Sequence, residues 1–224
     1  MKVVIFGASG MIGQGVLLEC LRDTGVDRVL VVGRSSVGRQ DAKLREVLVA
    51  DLFDVASYVG ELTDLDACFF CLGVSSAGMS EAAYRHLTYD LTVSIAQELA
   101  ARNSGLCFVY VSGAGTDSTE RGRTMWARVK GATENALLRM PFRSAFMFRP
   151  GVIQPLDGIR SKTRAYRIAY VLTAPIMPLL RRAFPNSVLT TREIGQAMLA
   201  VARRGWPRPV LEAKDIHRAA MRTT

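Results

Sequence analysis

The sequence predicts an α/β protein with a doubly wound, mostly parallel sheet and helices on both faces of that sheet. A glycine-rich turn joins a short apolar run at residues 2–6 to an amphipathic helical pattern at residues 11–22. Apolar runs and helical patterns then alternate along the chain. The runs lack polar alternation, which is typical of parallel strands covered on both faces. Together these observations indicate a single open sheet.

The 224 residues suit one domain, residues 1–224, and each element follows from its own pattern. Strands are predicted at residues 2–6, 28–32, 47–50, 67–71, 106–111 and 145–148, with an edge strand and a final turn within residues 210–217. Helices are predicted at residues 11–22, 80–102, 123–139 and 191–203. One apolar stripe should bury a face of the helix over residues 80–102: Tyr84, Leu87, Leu91, Ile95 and Leu99.

The pattern loosens over residues 153–190, and we expect this segment to form a small cap or lid on the substrate side. Its apolar stretch, residues 166–180, has basic flanks, and Pro175 and Pro178 break any long helix there. The stretch could also be an amphipathic surface for a membrane or a partner, but the sequence favours a lid or a core helix.

Charge and targeting signals narrow the class of protein. The net charge is +9, but no recognised nucleic-acid-binding module accompanies it, so nucleic acid is not an expected partner. The first residues form a strand rather than a signal peptide, and no apolar segment is long enough to span a bilayer. We therefore expect a cytoplasmic protein.

The cysteines and histidines predict neither a metal site nor a hydrolase triad. Cys68 and Cys71 share a predicted strand at a spacing that points them to opposite faces, and no other cysteine pair or histidine has zinc spacing. We expect reduced core thiols at positions 20, 68, 71 and 107. Neither His86 nor His217 lies beside a serine or cysteine nucleophile.

The glycine turn predicts a dinucleotide site. Gly7 permits a tight turn out of the strand, Gly10 leaves room for a pyrophosphate against the backbone, and Gly13 lets the helix pack closely on the strand. The helix N-terminus then offers N–H groups and a partial positive charge to the phosphates. Seven residues are predicted to contact the cofactor here: Gly7, Ala8, Ser9, Gly10, Met11, Ile12 and Gly13.

The residues after the next strands predict which dinucleotide binds. Arg34 stands where dinucleotide folds place the residue that meets the adenosine ribose, and a carboxylate there would repel a 2′-phosphate. A guanidinium pairs with phosphate instead, and Ser35 follows it, so NADP is the predicted cofactor and NAD the alternative. Asp51 and Leu52 meet the adenine ring, or else Asp51 caps a helix over residues 54–60.

Motifs in both halves of the chain resemble those of the short-chain dehydrogenase/reductase superfamily, in its atypical and extended branch. They are the glycine turn, Arg34, Asp51-Leu52, Ser112, Lys130 and the run at residues 149–152. The Cys-Leu-Gly run at residues 71–73 and the Ile-His pair at residues 216–217 are similar to the Tat-interacting-protein-like oxidoreductases. The resemblance covers nearly the whole chain.

The resemblance implies a Rossmann sheet, an NAD(P)-dependent oxidoreductase activity on a small-molecule substrate that the sequence does not identify, and particular residue roles. Lys130 bonds the nicotinamide ribose, and Ser112 orients the substrate oxygen. Two short runs flank the cofactor: Cys71, Leu72 and Gly73, and Pro150, Gly151 and Val152. By analogy, pairing of the helices over residues 80–102 and 123–139 makes a homodimer.

The resemblance fails at one position, because Trp126 stands where the superfamily has its proton-donating tyrosine, four residues before the lysine. An indole N–H does not titrate in the useful range. In one explanation another tyrosine is the acid (Tyr84, Tyr89 or Tyr110). In a second, Ser112 and Lys130 suffice. In a third, the protein binds NADP(H) without turnover as a regulator or redox sensor. Under this third explanation Trp126 stacks on the nicotinamide or closes the substrate pocket. The plain alternative is that Trp126 only packs on the face of its helix.

Overall fold

The computed structural model describes residues 1–159 and 188–223. In these ranges seven parallel strands form one sheet in the order β3-β2-β1-β4-β5-β6-β9, and β7 and β8 pair as a second parallel sheet. The strands are β1 (Lys2–Phe6), β2 (Arg28–Gly33), β3 (Leu44–Leu48), β4 (Ala67–Phe70), β5 (Cys107–Val111), β6 (Ser144–Arg149), β7 (Val152–Gln154), β8 (Val188–Thr190) and β9 (Val210–Glu212). The predicted α/β class is confirmed.

Helices cover both faces of the large sheet, and each face has its own apolar core. The described helices are α1 (Met11–Arg22), α2 (Glu81–Arg85), α3 (Leu91–Arg102), α4 (Met125–Leu138), α5 (Thr191–Arg204) and α6 (Ala213–Ala220). One core contains residues of α1, α5 and α6, and the other contains residues of α3 and α4. Cys68 lies in the second core and Cys71 packs against the first, so the two thiols face opposite ways, and all four cysteines are free.

The third strand lies earlier in the chain than predicted. The prediction was residues 47–50, but β3 spans Leu44–Leu48 and pairs with β2 from Val29 opposite Leu44. The prediction looked for an unbroken apolar run. β3 is a half-exposed edge strand that includes polar residues, so it does not show such a run. The helix considered for residues 54–60 is also absent. That stretch forms two short 3-10 helices, Val55–Ser57 and Val59–Glu61.

The helix predicted over residues 80–102 contains a π-helical turn, His86–Asp90, between α2 and α3. A π turn holds an extra residue, so the positions inside it do not keep α-helical spacing. Leu87, predicted to be buried, is therefore 38 % exposed, and Thr88 takes the inward position at 7 % exposure. The rest of the predicted stripe is buried: Tyr84, Leu91, Ile95 and Leu99.

The C-terminal segment adds the last strand at one edge of the large sheet. β9 adds a parallel edge strand beside β6, as predicted, but a helix, α6, follows it instead of a turn. A capping box between Thr190 and Glu193 begins α5. Of the predicted lid, β7 and β8 are seen paired, while residues 160–187, including the stretch at residues 166–180, lie outside the described residues. None of the described helices is long and apolar enough to cross a bilayer.

Candidate functional site

The glycine turn packs backbone against backbone at two points. Gly7 has φ +80°, and a Cβ there would lie 2.7 Å from the backbone of Cys71. A Cβ on Gly13 would lie 2.1 Å from the carbonyl oxygen of Gly7. The Gly10 N–H donates to that same oxygen at 2.9 Å. Side chains at these glycines would therefore push α1 away from β1 and β4.

The N-terminus of α1 fits the pyrophosphate of a dinucleotide. No side chain caps the helix at Gly10, and its first turn has no acidic residue. The N–H groups of that turn and the positive end of the helix dipole are thus left for an anion. Ala8 is buried beneath the turn, and Ser9, Met11 and Ile12 are half-buried.

The loop after β2 presents the predicted phosphate-reading residues to solvent. Arg34 and Ser35 are both exposed, and within the described ranges no carboxylate pairs with Arg34. Sequence reasoning missed what holds this loop. Glu46 on β3 accepts from the Ser36 hydroxyl at 2.8 Å and from the Val37 N–H at 2.7 Å.

The residues after β3 and β4 lie at the same carboxyl edge, since all the strands are parallel. Asp51 accepts from the Phe53 N–H at 2.9 Å, so it closes a turn, and the idea that it caps a helix is wrong. Leu52 is 6 % exposed and mostly part of the core. The run after β4 lies beside Gly7: Cys71 and Leu72 are half-buried and Gly73 is exposed.

Ser112, at the end of β5, belongs to a buried polar network. Its hydroxyl lies 2.5 Å from Glu134 Oε1 and 3.1 Å from the carbonyl of Phe148. Glu134, on α4, is fully buried, and the Arg149 guanidinium binds both of its carboxylate oxygens, with Nε 3.0 Å from Oε1. Arg149 also reaches Glu212 Oε1 at 3.3 Å. The Ser112 hydroxyl thus points into this network, and sequence reasoning missed Glu134.

Lys130 lies one helical turn before Glu134 and binds the end of β5. Its Nζ donates to the Ser112 carbonyl at 2.7 Å and lies 3.4 Å from the Val111 carbonyl. Burial lowers the pKa of Lys130 to about 8, and the negative charge of Glu134 opposes that fall. The amine is therefore still mostly cationic at neutral pH.

We expect this amine to make the stability of the fold depend on pH. Between pH 8 and 10.5 the unfolded chain holds the Lys130 proton and the folded chain does not, so the unfolding free energy rises with pH. Relative to Lys130→Met, which cannot titrate, the wild type should gain about 3 kcal/mol over that window. Urea unfolding of both proteins across the window measures the gain, and parallel pH profiles would contradict a buried, titrating amine.

Trp126, in the first turn of α4, is half-buried and lies against the loop that follows β5. Its ring atom Cη2 would lie 3.6 Å from a Cβ placed on Gly115. The Ala114 N–H donates to the Pro150 carbonyl at 2.9 Å, which brings the exposed residues Gly151 and Val152 beside the same loop. The structure therefore gathers Ser112, Trp126, Lys130 and residues 150–152 at one corner of the carboxyl edge.

The three tyrosines considered as alternative proton donors are poorly placed to reach a substrate. Tyr84 and Tyr110 are buried, and burial raises the pKa of both hydroxyls. The ring of Tyr110 has the Lys130 Nζ 5.7 Å from its centre, so it supports the amine from within the core. Tyr89 is half-buried and carries the Arg85 guanidinium at 4.0 Å.

Comparison with known sequences finds distant relatives. No family model matches the sequence. The protein Fmp52 of Emericella nidulans, named mitochondrial, is 28% identical over 171 residues, which cover 73% of this chain and 70% of the relative. FMP52 of Eremothecium gossypii, also named mitochondrial, is 26% identical over 206 residues, or 90% of this chain and 88% of the relative.

Comparison with solved structures decides the fold. An oxidoreductase of the short-chain dehydrogenase/reductase family from Burkholderia thailandensis aligns with a TM-score of 0.67 over 97% of this chain and 92% of its own, at 17% identity. The chain has the short-chain dehydrogenase/reductase fold. The Bordetella bronchiseptica enzyme WbmF, solved with NAD+, shares that fold with a TM-score of 0.68, over 99% of this chain and 77% of its own, at 15% identity.

These comparisons correct one prediction. The sequence was expected to encode a cytoplasmic protein, but the curated relatives with this likeness are named as mitochondrial proteins. The expectation rested on finding neither a signal peptide nor a membrane-spanning segment, and a missing signal does not establish a compartment. The cytoplasmic assignment is therefore wrong by this comparison.

Proposed function

We propose that the protein is an NADP(H)-binding oxidoreductase that acts on a small molecule at the carboxyl edge of the sheet. The glycine turn carries the proposal, because close backbone packing there coincides with an uncapped helix N-terminus that has no acidic first turn. The short-chain dehydrogenase/reductase fold supports it, since WbmF was solved with NAD+. Within this proposal the glycine turn holds the pyrophosphate, Asp51 and Leu52 meet the adenine, and Lys130 holds the nicotinamide ribose.

The preference for NADP rests on Arg34. An exposed guanidinium with no carboxylate partner among the described residues is a good ligand for a 2′-phosphate. Glu46 does not oppose this, because the Ser36 hydroxyl and the Val37 N–H already engage its two oxygens. The loop is thereby held in place beside Arg34.

We expect Arg34→Ala to weaken NADPH binding by about 10- to 100-fold, because a charge-assisted bond to phosphate is lost. NADH binding should change by less than about twofold, since NADH has no 2′-phosphate. Titration of the purified protein with each nucleotide, followed by quenching of tryptophan fluorescence, measures both affinities. The same titration of the wild type tests the proposal itself.

The control is Arg45→Ala, which removes another exposed arginine, on β3, where it pairs with Glu61. This variant should bind both nucleotides as the wild type does. Equal losses of NADPH and NADH in Arg34→Ala would refute the NADP preference while leaving the dinucleotide site intact. No binding of either nucleotide to the wild type would refute the site.

The proposed reaction consists of a hydride transfer and a proton transfer, which have different sources. A bound nicotinamide supplies or accepts the hydride. The proton for a substrate oxygen must come from the chain, and Trp126 has no titratable group. The Lys130 ammonium is the acid that the gathered residues offer, and it remains charged below a pKa of about 8. The Ser112 hydroxyl, bound to Glu134, serves chiefly to hold the end of β5.

A second candidate function is a nucleotide-binding regulator or redox sensor without turnover. Two observations favour it: Trp126 stands where an acid is needed, and the Ser112 hydroxyl is turned into a buried network. A wild-type protein that reduces a carbonyl compound at an ordinary rate would exclude this candidate. The substrate-side cap at residues 153–190 and the homodimer remain predictions for either function.

A further inference from the structure

An apolar groove of about 520 Å³ lies at the amino-terminal edge of the sheet, opposite the proposed cofactor site. It runs between the end of α4 and the segment that leads into β9. Its lining is mostly hydrophobic and includes Leu138, Met140, Phe142, Phe146, Trp206 and Pro209. Leu138 is 38 % exposed, so water meets the groove in the isolated protein.

Five arginines lie close to these lining residues. Four are within two residues of the lining along the chain, Arg139, Arg143, Arg204 and Arg208, and the fifth, Arg222, stacks on Trp206. Contacts with neighbouring segments position three of them. Arg143 donates to the carbonyls of Gly105 at 2.9 Å and Ala202 at 3.0 Å. Arg222 stacks over the Trp206 ring at 4.7 Å, and Arg204 donates to the carbonyl of Arg222.

Within the segments that line the groove, no acidic residue balances this charge. Residues 138–146 and 204–210 contain neither aspartate nor glutamate. Among the described residues none of the five arginines forms a salt bridge, whereas Arg203, the neighbour of Arg204, pairs with Asp23 at 2.5 Å. The positive charges of these guanidinium groups are thus not neutralised by a carboxylate of the described residues, even where a carbonyl accepts one of their N–H groups.

Helix electrostatics account for only part of the pattern. Arginines are favoured at helix C-termini, where Arg139 and Arg204 lie after and within the last turns of α4 and α5. That reason does not apply to Arg143, which precedes β6, or to Arg208, which precedes β9. Nor does it explain why these arginines lie so close to the residues that line an apolar groove.

We propose that this surface, the arginine-rimmed groove, docks the protein on a bilayer rich in anionic phospholipid. The arginines meet headgroup phosphates, and the apolar lining with Trp206 enters the interfacial region. Charge complementarity favours this occupant, and so does the backbone at the rim. Pro207 and Pro209 have no N–H with which to pair the main chain of a peptide. Docking through this surface leaves the proposed cofactor site, at the carboxyl edge of the sheet, accessible to solvent.

Vesicle sedimentation tests the proposal with the full chain. The wild type should partition onto phosphatidylcholine vesicles with about 30 % phosphatidylglycerol and hardly onto pure phosphatidylcholine, and salt should weaken the binding. The double variant Arg139→Glu/Arg208→Glu should lose at least about tenfold in partitioning. Its control is Arg121→Glu/Arg123→Glu, an identical change of charge in the exposed loop before α4, which should lose less than about threefold.

Tryptophan fluorescence identifies the face that touches the lipid, because the chain has two tryptophans at opposite edges. In Trp126→Phe the remaining Trp206 should be quenched by brominated phosphatidylcholine mixed into the anionic vesicles. In Trp206→Phe the remaining Trp126 should not be. Several results would overturn the proposal. They are no binding of the wild type to anionic vesicles, equal binding to neutral vesicles, an equal loss of partitioning in the two double arginine variants, or quenching of Trp126 alone. Tighter binding to an acidic peptide or an oligonucleotide than to vesicles would reassign the surface.

Discussion

Replacing Glu134 with alanine is expected to lower the free energy of unfolding by about 3–5 kcal/mol. Glu134 is fully buried, and Arg149, whose side chain is 12% exposed, binds both oxygens of its carboxylate. Without the carboxylate, Arg149 keeps only Glu212 and the exposed Ser118 as side-chain partners among the described residues, and the Ser112 hydroxyl loses its closest acceptor. Three elements, β5, α4 and β6, are joined through this one side chain. Denaturant unfolding followed by circular dichroism measures the loss.

The control for Glu134→Ala is Glu98→Ala. Glu98 also forms a salt bridge with an arginine, Arg102, but on the exposed surface of α3, where such a pair contributes less than about 1 kcal/mol. Both replacements remove the same atoms of a glutamate side chain from an α-helix. Similar small losses in both variants would mean that the buried ion pair does not hold the end of β5.

Trp126→Tyr is expected to raise carbonyl reduction with NADPH by about 10²- to 10⁴-fold, the usual contribution of a positioned general acid. The replacement places a phenol on the same face of α4 as Lys130, one helical turn away. A cationic amine at that distance favours the phenolate and so lowers the barrier to proton transfer. Tyrosine is also smaller than tryptophan, so it fits in the space that the indole occupies beside Gly115. The rate of NADPH oxidation with a panel of aldehydes and ketones measures the gain.

Two controls separate chemistry from packing in this experiment. Trp126→Phe makes the same reduction in size without a hydroxyl and should show no gain. Adding Lys130→Met to Trp126→Tyr should remove the gain, because the phenol then lacks its cationic neighbour. If Trp126→Phe gains as much as Trp126→Tyr, the indole obstructs the substrate and its lack of a proton is irrelevant. If Trp126→Tyr stays silent while NADPH binds, the regulatory function is favoured.

Local patterns were enough to predict most of the fold. The bounds of β1 and α1 match the prediction, because a glycine turn between an apolar run and a helical stripe is encoded within a dozen neighbouring residues. The edge strand β3 was misplaced, since its polar residues face solvent and only pairing with β2 makes it a strand. Leu87 was misassigned because a π turn breaks the period on which the buried stripe was counted.

The candidate site divides in the same way. The glycine turn, Arg34, Trp126 and Lys130 could be named from spacing, because each role depends on a residue type at a fixed distance along the chain. The role of Glu134 could not, since its partners Ser112 and Arg149 lie 22 and 15 residues away and meet it only when β5 and β6 pair beneath α4. A glutamate four residues after a lysine on a helix was the available signal, and it resembles an ordinary surface pair.

The sequence by itself determined most of the order of strands and helices along the chain, the turn at Gly7 and the absence of a tyrosine four residues before Lys130. These depend on backbone preferences and side-chain types that act over one or two turns of chain. Only the tertiary structure decided that the Ser112 hydroxyl is buried, that Lys130 has a lowered pKa, and that Arg222 stacks on Trp206 in the lining of an apolar groove. The reason is physical: desolvation and charge pairing are set by which distant segments pack together, and local spacing contains no record of that packing.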